Sequence, residues 1–191
     1  MLKVRILNFL LYQIGWFSCV VRAALARPWL GIAVALILVA VHLWLATDRL
    51  GQIKILSVAM GIGLLVDSVL LALGVFTFPS GMAVAWLPPL WMSVLWLQFA
   101  TTFRYCLEWL NGRYALSALL GFFGAPLAFL GGERVGAVLF LPPHLTHLIM
   151  LGTVWCVAIP VLIYASDHIH SGNQLPDSYR GFAPYERIED G

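Results

Sequence analysis

Residues 60–74 read MGIGLLVDSVLLALG, and Asp67 is the single charge among them. No other charged residue occurs from Ile55 to Phe103. A helix crosses the hydrocarbon core of a bilayer with about 20 mostly apolar residues, so this run reads as membrane-spanning helix. The aspartate inside it needs a reason, because a carboxylate at mid-membrane is costly unless it faces protein or water. Small residues flank it along its own face (Gly63 and Gly74), so Asp67 is expected to point into a helix bundle.

The rest of the chain agrees with this reading. Only 10% of its 191 residues are charged and 61% are hydrophobic, whereas soluble domains carry about 25% charged residues. So few charges cannot cover a wetted surface, and most of the surface must face lipid. A formal charge of +2, with no Walker, Rossmann or zinc-finger spacing, gives no basis for nucleic-acid binding. Cys19, Cys106 and Cys156 lie in or beside apolar runs and are odd in number, so they read as buried thiols rather than a disulfide framework. Lys3 and Arg5 before an apolar run, with Ala24-Leu25-Ala26 after it, resemble a signal peptide. Asn8 and Gln13 interrupt the apolar part, so the segment is expected to stay as a first helix.

The fold expected is an all-α polytopic bundle of about six spans, roughly Ile6–Ala24, Pro28–Ala46, Ile53–Val75, Pro88–Leu107, Tyr114–Leu130 and Pro143–Ala165. Pro28, Pro89 and Pro143 suit helix starts. Gly132–Leu141 is too short to cross and reads as a loop or re-entrant piece. The bundle is expected over residues 1–165, followed by a mobile polar tail over 166–191 that ends in Glu186, Glu189 and Asp190. Asp167, His168 and His170 there read as a solvated helix end. Loop cations divide eight to three: Lys3, Arg5, Arg49, Lys54, Arg104, Arg113, Arg180 and Arg187 against Arg22, Arg27 and Arg134. By the positive-inside rule both termini are then cytoplasmic. Trp29 and Trp86 fall at the outer interface, Trp44 and Trp109 at the inner one.

Small residues on the fifth span (Ser117, Gly121, Ala125; Gly124, Ala128, Gly132) predict neighbours on two sides and a central position. Asn8, Tyr12, Gly15, Cys19 and Arg22 form one inward face of the first span; Trp91, Gln98 and Thr102 do so on the fourth. Asp67 lies about 20 Å above the start of its span at 1.5 Å per residue. His144 and His147, three apart at the start of the sixth span, reach a similar level, as do Trp16 and Trp91. Asp67, His147 and His144 are therefore the candidate catalytic groups of an outward polar cleft. Trp91, Gln98, Asn8, Gln13 and Trp16 are its candidate ligand-binding residues. Two histidines and a carboxylate suit zinc, but H-x-x-H lacks the glutamate of H-E-x-x-H and no general base is evident, so no metal or cofactor is assigned. Proton exchange between Asp67 and a histidine would suit a small proton-coupled carrier. A tryptophan-lined cleft would suit a lipid or small amphiphile. His42 reads as packed or interfacial, and Arg104 with Glu108 as an intrahelical pair.

The segments NFLLYQIGW at 8–16, PPLWMSVLWLQFATTF at 88–103 and GFFGAPLAFLGGERVGA at 121–137, together with Asp67, resemble the family known as domain of unknown function 2878. The resemblance covers the chain up to the last span. It implies a multi-pass protein of the bacterial inner membrane, without an assigned activity. Association of such genes with fatty-acid modification tilts the expectation toward lipid. The function expected is accordingly lipid binding or modification with membrane lipid as partner. A proton-coupled carrier, and a structural subunit acting as a homo-oligomer or beside a membrane protein partner, are the alternatives.

Overall fold

The computed structural model describes residues 2–171. Within them lie six α-helices, α1 (Leu2–Ala24), α2 (Pro28–Leu45), α3 (Arg49–Ala72), α4 (Leu90–Ala100), α5 (Tyr114–Val135) and α6 (His144–Ser171), and one 3-10 turn, Glu108–Leu110. Two short strands, β1 (Phe76–Thr77) and β2 (Leu139–Phe140), pair antiparallel with Phe76 opposite Phe140. The all-α bundle expected from the sequence is the fold found, and five of its helices are long and apolar enough to cross a membrane. The fourth is not. α4 has 11 residues, about 16 Å of helix at 1.5 Å per residue.

The chain still traverses the molecule between Leu90 and Tyr114. β1 follows α3 and β2 follows α5, so their pairing puts the C-termini of both helices at one end, called here the sheet end. α4 departs from that end and α5 begins at the other. The helix covers the first part of the passage, and turns over residues 101–113 cover the rest. Side chains agree on the two ends. Ser80 donates to the carbonyl of Ala23 at 2.6 Å at the sheet end, while Arg5 meets Glu108 at 2.8 Å and Arg104 meets Asp48 at 3.4 Å at the N-terminal end. α1 starts and α6 finishes at this N-terminal end.

Residues 98–102 explain why α4 stops. The hydroxyl of Thr101 donates to the carbonyl of Gln98 at 2.7 Å, and that of Thr102 to the carbonyl of Phe99 at 2.5 Å. These bonds offer the backbone an alternative to the helical ladder. The following amides tighten onto carbonyls three residues back, as in Thr102 N to Phe99 O at 3.0 Å and Tyr105 N to Thr102 O at 3.1 Å. Asn8, buried on α1, then bridges the irregular stretch. Its amide donates to Thr101 O at 3.1 Å and accepts from Cys106 N at 3.4 Å. Non-helical backbone at membrane depth persists only where protein shields it, and Ala100, Thr101, Thr102 and Phe103 are all buried.

α4 is the central helix, buried on nearly every side and packed on α1, α2 and α3. The central place expected for the fifth span is therefore overturned. α5 packs chiefly on α6, where Gly121 lies so close to the Trp155 carbonyl that a Cβ would collide with it. One of its two small-residue stripes is packed throughout, with Ser117, Gly121 and Ala125 buried; of the other, Gly132 is buried but Gly124 and Ala128 are exposed.

The broken fourth helix also overturns the Arg104–Glu108 pair. Off helical spacing, each finds a partner on another element, Arg104 on Asp48 and Glu108 on Arg5. The Gly132–Leu141 segment resolves into the end of α5, a left-handed turn at Gly136 and strand β2. α6 continues past Ala165 to Ser171, so residues 166–171, expected in the tail, are helical. Residues 172–191, with Glu186, Glu189 and Asp190, lie outside the described residues. His42 is packed as expected, 3.1 Å from Gln52 and edge-on to Tyr105.

The outer faces are apolar. Leu7, Leu10, Ile14 and Phe17 of α1 and Leu119, Phe123 and Leu127 of α5 are all exposed. Trp29 and Trp86 are exposed at the sheet end, Trp44 and Trp109 at the other, as two interfacial belts require. The chain is an integral, multi-pass membrane protein.

Replacing Asn8 with Leu should leave the buried Thr101 O unpaired, at about 1–3 kcal/mol, and the half-buried Cys106 N unpaired at a smaller cost. The expected result is a clear drop in thermal midpoint in detergent. A midpoint equal to that of the unaltered protein would show that Asn8 does not hold the broken segment.

Candidate functional site

Asp67 is fully buried on α3. Its Oδ2 accepts a hydrogen bond from the indole Nε1 of Trp96 at 2.8 Å. Gly63, one turn earlier on the same face, gives the indole its space, since a Cβ there would strike the Trp96 ring. Gly63 and Asp67 thus form a socket that orients one side chain of α4. The other oxygen, Oδ1, has no hydrogen-bond partner among the described residues.

Trp96 in turn stacks on Trp155 of α6, with ring centres 4.4 Å apart and planes inclined by 21°. Phe99 meets Trp155 edge-on at 6.0 Å. These rings form one wall of a cavity of about 300 Å³ between α1, α4, α5 and α6. Tyr12 and Trp16 of α1 and Trp91 of α4 extend the wall, and Gly121, Gly124, Ala125 and Ala128 of α5 form the opposite side. On α5 the lining runs from Leu120 to Gly132, about 18 Å along the helix axis. A Cβ added at Gly124 would meet nothing within 4 Å, so the cavity opens past the exposed stripe of α5. The indole N–H groups of Trp91 and Trp155 have no partner among the described residues.

The Asp67–histidine cluster expected from the sequence does not form. α3 and α6 are neighbours as anticipated, but Asp67 takes its partner from α4. His147 donates through Nδ1 to the Leu141 carbonyl at 2.8 Å, and His144 Nε2 lies 2.9 Å from Glu133. Both histidines brace the corner where α5, β2 and α6 meet. Glu133 also accepts from Phe140 N at 3.2 Å. The corner itself supplies their partners: the Leu141 carbonyl lies six residues before His147, and Glu133 at the end of α5 lies eleven before His144.

The predicted ligand-binding residues divide in the same way. Trp16 and Trp91 line the cavity. Asn8 and Gln98 instead serve the scaffold: Gln98 donates to the Ala35 carbonyl of α2 at 2.8 Å, and Asn8 holds the segment after α4. Gln13 is half-buried and lies outside the lining. The cleft is therefore apolar rather than polar, with Asp67 behind its wall. Sequence reasoning missed Trp96, Phe99 and Trp155. Gly63 and Asp67 marked only an inward face; in the structure they form a socket that an indole, which donates but does not accept, fills.

Among the described residues no cluster of three His, Cys, Asp or Glu could hold a metal ion. The cavity lining contains no carboxylate, histidine or cysteine. What it offers is an aromatic and aliphatic surface with indole donors and the Tyr12 hydroxyl. A family model described as "Protein of unknown function (DUF2878)" matches residues 5–161. The chain belongs to that family. No curated protein and no solved structure matches it. The match ends within α6, so it includes every helix that lines the cavity.

Asp67→Leu should leave the Trp96 N–H buried and unpaired, costing about 1–3 kcal/mol. Asp67→Asn keeps an acceptor for the indole and should lose much less. Thermal unfolding of the two variants in detergent checks this, and equal losses would show that the bond to Trp96 is not what Asp67 contributes.

Proposed function

We propose that this protein binds the apolar chain of a lipid, admitted sideways from the bilayer into the cavity between α1 and α5. The observation that carries this reading is the opening itself. The cavity is bounded by aromatic rings on one side and by exposed small residues, Gly124 and Ala128, on the other. The surface around the opening is formed by Leu119, Phe123 and Leu127, all apolar and exposed, so the medium at its edge is hydrocarbon. About 300 Å³ lies at the lower end of the range for small-molecule sites. Chain contact there needs no polar partner, and the lining supplies few. A proton-coupled carrier finds no comparable support, because Asp67 and His147 are each engaged elsewhere.

For orientation we infer that the N-terminal end is cytoplasmic and that the membrane is the bacterial inner one. Lys3, Arg5, Arg49, Lys54, Arg104 and Arg113 gather at that end, against Arg22, Arg27 and Arg134 at the sheet end. A reporter placed in the loop at Ser80 should be active as a periplasmic fusion and one before α1 as a cytoplasmic fusion. The reverse pattern overturns the orientation.

The binding reading is tested with a phospholipid carrying a diazirine in its acyl chain, in nanodiscs. Photolabelling should concentrate on Trp16, Leu120 and residues 124–128. The double variant Gly124→Leu, Ala128→Leu should reduce labelling there several-fold without lowering the thermal midpoint. Labelling spread evenly over all exposed helix faces would sink the proposal. So would efficient cross-linking of two Gly124→Cys copies, which would mean that a second helix occupies the groove.

A further inference from the structure

Arginines stand near both ends of the groove, Arg22 and Arg134 at the sheet end among them, but among the described residues an arginine–carboxylate pair spans only the N-terminal end. At the N-terminal end its lining includes Leu107 and Leu110. Glu108 lies between them and accepts from Arg5 of α1 at 2.8 Å. Arg5 precedes the lining residue Tyr12 by seven residues, close to two turns, so it lies on the groove face of α1 about 10 Å toward that end. The ion pair therefore ties α1 to the Glu108–Leu110 turn across the end of the groove. Its side chains are 41% and 52% exposed, and exposed pairs of this kind are weak and exchangeable. Arg113 stands exposed three residues beyond Leu110, with no carboxylate partner among the described residues. At the sheet end the lining residues are Trp91, Phe129, Gly132 and Val138, and the nearby carboxylate, Glu133, is already taken by His144 and the Phe140 amide.

Resting on the lipid-chain reading above, we infer that the groove takes an amphiphile with an anionic head, whose carboxylate or phosphate replaces Glu108 on Arg5 while its chain runs toward Val138. Arg5 is then a head-recognition residue, and Glu108 an internal competitor that occupies it in the empty protein. A guanidinium binds a carboxylate or a phosphate through paired N–H donors, so the shared chemistry is the anion. The uncharged alcohol of the same chain gains the groove but not Arg5.

The test measures binding of hexadecanoate, hexadecyl phosphate and hexadecanol to the full chain in detergent, by competition against the diazirine lipid. The unaltered protein should favour the two anions over the alcohol by about tenfold, the size of one charge-assisted contact. A preference for one anion alone would assign the head to that source. Arg5→Gln should abolish the preference. Glu108→Gln should strengthen anion binding several-fold and leave hexadecanol unchanged, whereas a purely structural ion pair would make both variants behave alike. Equal binding of acid and alcohol by the unaltered protein overturns the head assignment and leaves chain binding standing. Failure of all three to compete removes the chain-binding reading as well.

Discussion

The structure depends on how a helix that ends inside the bundle is held there. α4 stops at Ala100 with the chain still at membrane depth, and its polar groups cannot turn to water. Three neighbours supply partners within a few residues of that end. Asp67 of α3 accepts from Trp96, Ala35 of α2 accepts from Gln98, and Asn8 of α1 both donates and accepts on the segment beyond. The bonds to Trp96, Gln98 and the Thr101 carbonyl are buried and expensive to leave unmade. Together they fix α4 against α1, α2 and α3.

The groove follows from that arrangement. With α4 committed to three helices, α5 is left to pair with α6, and it touches α1 only lightly. The gap between α1 and α5 is walled by the aromatic rings that α4 and α6 present. Asp67 shapes this wall without entering it, by setting the plane of Trp96 on which Trp155 stacks. The intramembrane carboxylate is thus a positioning group, and the surface it positions is apolar.

This division of labour explains which parts of the site were legible beforehand. Trp16 and Trp91 were found because large rings on inward faces have few other places to go. Asn8 and Gln98 were correctly read as facing protein, but polarity does not distinguish a side chain that binds a ligand from one that closes a backbone break. Trp155 and Phe99 carried no signal, since an aromatic residue in an apolar span is as suited to lipid as to a cavity wall. The expected Asp67–His147 pairing rested on equal depth alone. Depth is a one-dimensional coordinate, and the rotation of each helix decided the partner.

By itself the sequence determined the class: apolar runs of sufficient length, few charges and tryptophans at their ends require a multi-pass helical bundle, because lipid admits little else. It also determined that Asp67 faces inward. Only the tertiary structure decided that the fourth passage is part helix and part turns, that α4 rather than α5 is central, and that the cavity is apolar and open between α1 and α5. Helix formation responds to neighbours within a few residues, which a sequence displays directly. The break after Ala100 survives because Asn8, more than ninety residues away, reaches its free carbonyl and amide, and contacts of that range exist only once the chain has folded.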